Sequence, residues 1–342
     1  MRKVKIEDAI GLAIGHDMTR VIPGTFKGVA FKKGHIITED DVIELKKIGK
    51  ENVYLDTIPE GYIHEDDCAV RIASAIADQD SFTFSEVSEG KINIISKADG
   101  ILKINKEMLY NLNTIEHVAI CTKFEDTPVK RGDIVASERI IPLYTRKENI
   151  EAVEETCKQS GKLINVVKYV PQKIHLIITG NEVFNGLIKD RFYEALKPKV
   201  ESYGCKISSV IKAPDDKEYI KEKINEAVES GADIVVCTGG MSVDEDDITP
   251  IAIKEEADNM VVHGLPVQPG NMFLLSYKKN TPIIGVPGAV MYYKATIFDL
   301  IFPKLACKQK ISKDYFINLG LGGLCDFCKV CHYPNCSFLK GR

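Results

Sequence analysis

The sequence predicts an α/β protein: a parallel-sheet, three-layer α/β domain preceded by a smaller region that is α+β and β-rich. Two observations carry this. Beyond Gln172, short apolar runs alternate with segments of helical periodicity, the signature of βαβ units joined by right-handed crossovers. Before it, Glu86 to Gly132 alternates short apolar runs with the turn signals Glu89-Gly90, Asp99-Gly100 and Arg131-Gly132, which predicts a small β-rich domain. The composition, 44% hydrophobic and 27% charged over 342 residues, excludes global disorder and a coiled coil.

Four segments follow from this reading: an N-terminal α+β segment over 1–60, a β-rich domain with helices over 61–171, the α/β domain over 172–312 and a Cys-rich tail over 313–342. In the first, turn-rich strands precede a helix. Thr38 can cap it, Asp41 sits three positions later, Val42, Ile43, Leu45 and Ile48 give an apolar face, and Gly49 ends it. A strand, Val53 to Leu55, comes next. Cys68, Ile72, Ala75 and Ile76 predict a helix from about Gly61 to Ala77, Met108 to Leu112 a short one, and Thr145 to Ser160 a charged one.

In the α/β domain, Lys173 to Ile178 reads as a buried strand ending in Thr179-Gly180-Asn181-Glu182, followed by a helix from about Gly186 to Tyr203 that Gly204 stops. Ser208 to Lys212 is a second strand. Asp215 or Asp216 caps a helix carrying Ile220, Ile224, Ala227 and Val228, and Asp233 to Cys237 is the third strand, running into Thr238-Gly239-Gly240-Met241-Ser242. An Ile248 to Asp258 helix, strands over Met260 to Leu265, Asn271 to Tyr277 and Pro282 to Val286, and a helix over Met291 to Lys304 complete it.

Forty-five basic against forty-nine acidic side chains leave a net charge of -4, so there is no chain-wide footprint for nucleic acid. No stretch approaches the ~18 apolar residues of a membrane span, and charges interrupt the first twenty residues, so neither a span nor a signal-peptide core is expected and the protein should be cytoplasmic. Ten cysteines in such a chain point to reduced thiols or metal ligands rather than disulfides. Cys68, Cys121, Cys157, Cys205, Cys237 and Cys307 are scattered singly, mostly inside apolar runs, where a cysteine acts as a small hydrophobe.

Ligands of an open parallel sheet bind beyond its carboxyl edge, where loops and helix N-termini present free N–H groups. Three loops lie at such strand ends: Thr179 to Glu182, Thr238 to Asp247 and Val286 to Val290. Gly239 and Gly240 let backbone approach a phosphate, and Thr238 and Ser242 add hydroxyls. Asp244, Glu245, Asp246 and Asp247 follow directly. Four carboxylates would repel that phosphate unless a hard cation such as Mg²⁺ intervenes, held by one or two of them, with Asp244, Asp246 and Asp247 as candidate ligands. The bland alternative is a tight Gly-Gly turn whose acids complement the N-terminus of the next helix, which accounts for some of the acids but hardly all four.

Pro269-Gly270 and Pro287-Gly288, each closing an apolar run, are taken singly type II turns. In order and spacing, however, Thr179-Gly180-Asn181-Glu182, Thr238-Gly239-Gly240-Met241-Ser242-Val243 with Asp247, Gln268-Pro269-Gly270 and Gly285-Val286-Pro287-Gly288 resemble the molybdopterin-binding domain shared by molybdopterin molybdotransferases and adenylyltransferases. The resemblance spans Gln172 to Cys307, and the first half looks like a reduced molybdotransferase N-terminal region. Its Asp-Gly-Tyr-Ala segment has no counterpart, and only Pro23-Gly24-Thr25-Phe26-Lys27-Gly28 stands there. Asn271 and Met272 replace the Lys and second Pro of Pro-Gly-Lys-Pro, and Ala289 the Asn of Pro-Gly-Asn-Pro.

The resemblance implies a protein of molybdenum cofactor biosynthesis, a molybdotransferase-like transferase that binds molybdopterin or its adenylylated form and assists molybdate insertion with Mg²⁺-dependent phosphoanhydride chemistry. Mapped onto this chain, Thr238, Gly239, Gly240 and Ser242 hold phosphate, Pro269, Gly270, Pro287 and Gly288 border the pterin, and Asp247 and Glu182 match acidic positions that hold Mg²⁺ or position molybdate. Asp216 matches another acidic position, with a helix N-cap as its equal alternative. The chemistry needs such carboxylates because a phosphoanhydride leaving group and an incoming oxyanion are both negative, and a cation must neutralise the charge between them. Family dimers share their active site, so a homodimer is expected. The alternative function is a non-catalytic carrier or regulator delivering finished cofactor to a molybdoenzyme. A Rossmann dinucleotide site is disfavoured, since no Gly-x-Gly-x-x-Gly follows the Leu176 to Ile178 strand.

Cys325-x-x-Cys328-x-x-Cys331-x4-Cys336 places four thiols within twelve residues, the pattern of a metal site. The spacing leaves open a four-iron iron–sulfur cluster, Zn²⁺ on four thiolates, Zn²⁺ on three with His332, and an unliganded tail. Gly322-Gly323 before it and Lys340-Gly341-Arg342 after it suggest a mobile appendage suited to docking or electron transfer.

Overall fold

A computed structural model describes the chain except Met1, Pro23, Asp56, Thr57, residues 243–246, Gly341 and Arg342. It forms two compact units, the first Met1–Ala98, Leu102–Glu125 and Val129–Val166, the second Asp99–Ile101, Asp126–Pro128 and Val167–Arg342.

In the first unit, the expected cap is present. The Thr38 hydroxyl accepts from the Asp41 N–H at 3.3 Å and the Asp41 carboxylate accepts from the Thr38 N–H at 2.9 Å, a capping box that starts the helix Glu39–Lys47. Ile14, Ile37, Leu45 and Val53 form a small core around it. The β-rich part is an antiparallel sheet in the order Phe82–Phe84, Lys91–Ser96, Ile134–Ile140, Val118–Thr122. It shares a core (Ile72, Ile76, Phe82, Ile94, Ile150, Val153) with the helices Glu65–Ile76 and Lys147–Ser160. Both helices start later than the sequence predicts, because Tyr62–His64 and Tyr144–Arg146 pair as strands. His64 then caps, its Nδ1 accepting the Asp66 N–H at 3.1 Å.

The second unit contains, in chain order, β1 Lys173–Thr179, α1 Asn181–Phe184, α2 Phe192–Glu201, β2 Lys206–Ala213, α3 Lys217–Glu229, β3 Ile234–Thr238, α4 Thr249–Glu256, β4 Asn259–His263, β5 Leu274–Lys278, β6 Thr281–Val286 and α5 Phe298–Ala306. The sheet runs β2-β1-β3-β6-β5-β4. β2, β1, β3 and β6 are mutually parallel, and β5 and β4 add antiparallel. Period-two alternation sends successive side chains to opposite faces. Ile174, Leu176 and Ile178 of β1 and Ile234 and Val236 of β3 enter one core with Leu196 of α2 and Phe298 and Phe302 of α5. Ile177, Val235 and Cys237 enter a second core with Ile220 and Ile224 of α3 and Ile253 of α4. Helices on both faces of a mostly parallel sheet make the three layers that the sequence predicts.

Two predicted helices break differently. The one expected over 186–203 begins only at Phe192, as α2, because the Asp190 carboxylate accepts the N–H groups of Phe192 and Tyr193 at 2.8 and 3.1 Å, and the short α1 lies ahead of that range. The one expected from Met291 begins at Phe298. A short 3₁₀ turn, Gly288–Met291, intervenes, and Thr296 accepts from the Phe298 N–H at 3.2 Å.

The tail is not a mobile appendage. Phe338 and Leu339 are buried in the core of the second unit, and the Leu339 N–H donates to the Gly322 carbonyl at 2.8 Å. Gly323 serves close packing rather than hinging, since a Cβ there would collide with the Pro266 and Leu319 carbonyl oxygens. Five of the scattered cysteines are buried as expected, and burial pushes the Cys237 thiol up to about 12. Cys121 is exposed, on the outward face of the edge strand Val118–Thr122. Among the described residues, no helix is long and apolar enough to cross a membrane.

Candidate functional site

From β1 the chain moves outward to β2 and then returns to β3 on the other side of β1, so a topological switch point lies between the carboxyl ends of β1 and β3. Register brings the predicted loops to this edge. Ile178 stands opposite Thr238, and Thr238 opposite Val286, so the loops after β1, β3 and β6 leave the sheet side by side. The connection holding Gln268, Pro269 and Gly270 joins them, because His263 at the end of β4 pairs with Leu274, and Leu274 with Gly285.

A network of buried threonines fixes the Gly-Gly loop. The Thr179 hydroxyl donates to the Thr238 carbonyl at 3.0 Å and lies 2.8 Å from the Thr249 hydroxyl at the start of α4. Thr179, Thr238 and Thr249 are each at most 3% exposed, so these bonds are made out of water. Gly239 has φ 90°, and a Cβ there would collide with the Thr179 carbonyl oxygen, so the loop's path requires glycine. Gly240, at φ 49°, lies under Thr249 and Asp247: a Cβ would stand 3.0 Å from Thr249 Oγ1 and 3.5 Å from Asp247 Oδ1. Met241 packs onto Gly285 of β6, with its Sδ 2.9 Å from where a Cβ would be, tying the loop to the neighbouring strand.

Asp247 is half-buried beside Gly240, and Ser242 is exposed. The Thr238 hydroxyl is fully buried with no hydrogen-bond partner among the described residues, an orphan of the kind a bound group or ordered water satisfies. Asp244 and Asp246 lie outside the described residues. Glu182 is exposed on α1, its Oε2 3.2 Å from the Cβ position of Gly180, at the same edge. Pro269 and Gly270 are buried, with Gly270 at φ 106° and Ile297 3.0 Å from its Cβ position. Pro287 and Gly288 start the 3₁₀ turn after β6 and are half-buried.

Sequence reasoning missed two positioning contacts. Asn181 and Asp215 clasp each other across the ends of β1 and β2: the Asn181 N–H donates to Asp215 Oδ2 at 2.9 Å and the Asp215 N–H to Asn181 Oδ1 at 3.2 Å. Thr249 is the other, and its only sequence signal is Thr-Pro at a helix start. Asp216 caps α3, its Oδ1 accepting the Tyr219 N–H at 2.9 Å. Asp216→Ala is therefore expected to cost about 1 kcal/mol and Asp216→Asn almost nothing, as read by urea unfolding.

Among the described residues, no three His, Cys, Asp or Glu side chains stand close enough together to hold a metal ion. The iron–sulfur or Zn²⁺ site expected at Cys325, Cys328, Cys331 and Cys336 is thus not formed as a ligand cluster, although these thiols line a shared cavity. At the sheet edge one carboxylate among the described residues, Asp247, stands beside the Gly-Gly loop, the donor type a hard cation takes.

Residues 175–306 match the family described as a probable molybdopterin binding domain, and residues 3–57 match a domain of unknown function. A Methanocaldococcus jannaschii protein, provisionally named a molybdopterin biosynthesis protein, is 28% identical over 218 residues, 63% of this chain and 46% of its own length. A molybdopterin molybdenumtransferase from Haemophilus influenzae is 26% identical over 188 residues, 53% of this chain and 44% of its own. The chain thus spans about half the length of these curated relatives. The crystal structure of the molybdopterin biosynthesis enzyme MoaB from Thermus thermophilus aligns with a TM-score of 0.35 at 18% identity, covering 40% of this chain and 98% of that one.

Proposed function

We propose that the chain, whose residues 175–306 match the probable molybdopterin binding domain family, binds molybdopterin or its adenylylated form at the carboxyl edge of the second unit's sheet and assists molybdate insertion. The observation that carries this reading is the Gly239-Gly240 loop: two successive positive-φ glycines at the switch point, pinned by the buried Thr179, Thr238 and Thr249, offer a phosphate backbone that bears no Cβ.

In this reading the backbone N–H groups of Gly239 and Gly240 and the Ser242 hydroxyl donate to the phosphate. The Pro269-Gly270 and Pro287-Gly288 turns border the pterin. Asp247 would hold Mg²⁺, which when bound supplies charge neutralisation between the phosphoanhydride and the incoming molybdate. Glu182, exposed at the same sheet edge, would be the second acidic group to hold that cation or to position molybdate. Because the Gly-Gly backbone is held by Thr179 and Thr249 before ligand arrives, its N–H groups need little reorganisation as charge develops.

The test is AMP release from adenylylated molybdopterin by the full chain, with molybdate and Mg²⁺. Asp247→Asn is expected to lower the rate by roughly 10²- to 10³-fold, the usual effect of losing one preorganised electrostatic group, while pterin retention persists. Tight pterin retention without AMP release by the unaltered chain would instead identify a carrier that hands cofactor to a molybdoenzyme, the reading that the missing Asp-Gly-Tyr-Ala segment favours.

A further inference from the structure

The C-terminal segment carries chemistry that the sheet edge does not use. Cys325, Cys328, Cys331 and Cys336, with His332, line one cavity of about 220 Å³, and every one of these thiols is free and partly or fully exposed. The walls are fixed at both ends. The Gln268 N–H donates to the Gly323 carbonyl at 2.8 Å, and the Cys325 N–H to the Gln268 carbonyl at 2.9 Å. Phe338 and Leu339, each 1% exposed, anchor the far side. Four cysteines close in sequence are thus held around one space by a folded frame.

Two further observations say what that space suits. The Phe327 N–H donates to Cys325 Sγ at 3.4 Å, with Phe327 in the left-handed region at φ 50°. A tight Cys-x-x-Cys turn that gives a backbone N–H to its first sulfur orients that sulfur as a ligand. Size decides between ligand types. A zinc ion takes thiolates at about 2.3 Å, so its four sulfurs must crowd around a point. All four cysteines border one cavity of about 220 Å³, more room than a single ion needs. A group with inorganic sulfides of its own, which hold the protein sulfurs apart, matches that arrangement, and Lys294 and Lys329 on the cavity wall offset the charge of four thiolates.

We propose that Cys325, Cys328, Cys331 and Cys336 ligate a four-iron, four-sulfide cluster, docked through Cys325 onto the loop that carries Gln268 and Pro269. Each thiol binds as the thiolate and releases its proton as two ferrous ions, two ferric ions and four sulfides assemble into the cluster, with no net electron transfer. The proposal is independent of what binds at the Gly-Gly loop.

The full chain, freed of metal and incubated anaerobically with equal amounts of ferrous and ferric iron and with sulfide, is expected to retain about four irons and four sulfides after desalting, with a broad visible absorbance that dithionite bleaches. The double variant Cys328→Ser, Cys331→Ser should lose iron and absorbance together, and Cys121→Ser, which removes the exposed cysteine of the first unit, should keep both. Matching unfolding midpoints of the metal-free double variant and metal-free unaltered chain show that the loss is one of ligation. A colourless chain, iron retained equally by the double variant, or stoichiometric zinc on these cysteines with iron excluded would each overturn the proposal.

Discussion

Gly239→Ala is expected to destabilise the second unit by about 3 kcal/mol, combining the cost of a left-handed alanine with that of overpacking, and to abolish pterin retention. The glycine sits at φ 90°, and its missing Cβ is the space occupied by the Thr179 carbonyl oxygen. Neither can yield cheaply. The Thr179 carbonyl is backbone at the end of a central strand, and the Thr179 hydroxyl is engaged with Thr238 and Thr249. The added methyl must push the loop away from the β1 end, which breaks the Thr179 network and reshapes the surface offered to a phosphate. Gly288→Ala is the contrasting case. Nothing lies closer to its Cβ position than Met291 Cε at 3.7 Å, and its φ is ordinary. Its stability should stay within about 0.5 kcal/mol of the unaltered chain in urea unfolding.

The second large effect is expected in the first unit. Glu138→Gln should raise its stability at neutral pH by on the order of 3 kcal/mol, less what the buried amide itself costs, and flatten its dependence on pH. Glu138 lies in the strand Ile134–Ile140, 1% exposed, with neither carboxyl oxygen in hydrogen-bonding geometry with any described group. Burial pushes its pKa up to about 9, against smaller lowering effects from the Ile92 backbone and Arg139. The sign follows from linkage. A carboxyl near 4.5 when unfolded and about 9 when folded stabilises fully below the unfolded value, and that contribution is lost as pH rises toward the folded one. Glu65, raised to about 7 chiefly by burial, adds a slope of the same sign over the lower part of that window. Melting of the first unit at pH 5 and pH 8 measures this: the unaltered chain should melt lower at pH 8, and Glu138→Gln should close most of the gap.

What the sequence made legible is what local chemistry decides. β1 and β3 read clearly because strands buried on both faces show as continuous apolar runs, and Thr38 with Asp41 announces its own cap. The site's loops were legible as four separate motifs. Their convergence depends on the pairing of Ile178 with Thr238 and of Thr238 with Val286, which only the assembled sheet supplies. Contacts across long separations left no local mark. Thr249 under the Gly-Gly loop and the Asn181–Asp215 clasp are polar residues in unremarkable places until the chain folds. Gly323 shows the same limit from the other side, since a glycine needed for close packing and a glycine in a hinge look alike in sequence. Asp190 and Thr296 make helices start late by capturing the N–H groups of their first residues, a competition that apolar periodicity does not register.

The central claim is that the carboxyl edge around Gly239 and Gly240 binds a phosphate-bearing pterin. The most direct measurement incubates the full chain anaerobically with molybdopterin, removes unbound ligand, and assays retained pterin as its fluorescent oxidised product. Stoichiometric pterin on the unaltered chain, lost in Gly239→Ala under conditions where that variant remains folded, is the predicted result. A folded, unaltered chain that retains no pterin, with or without Mg²⁺, would contradict it.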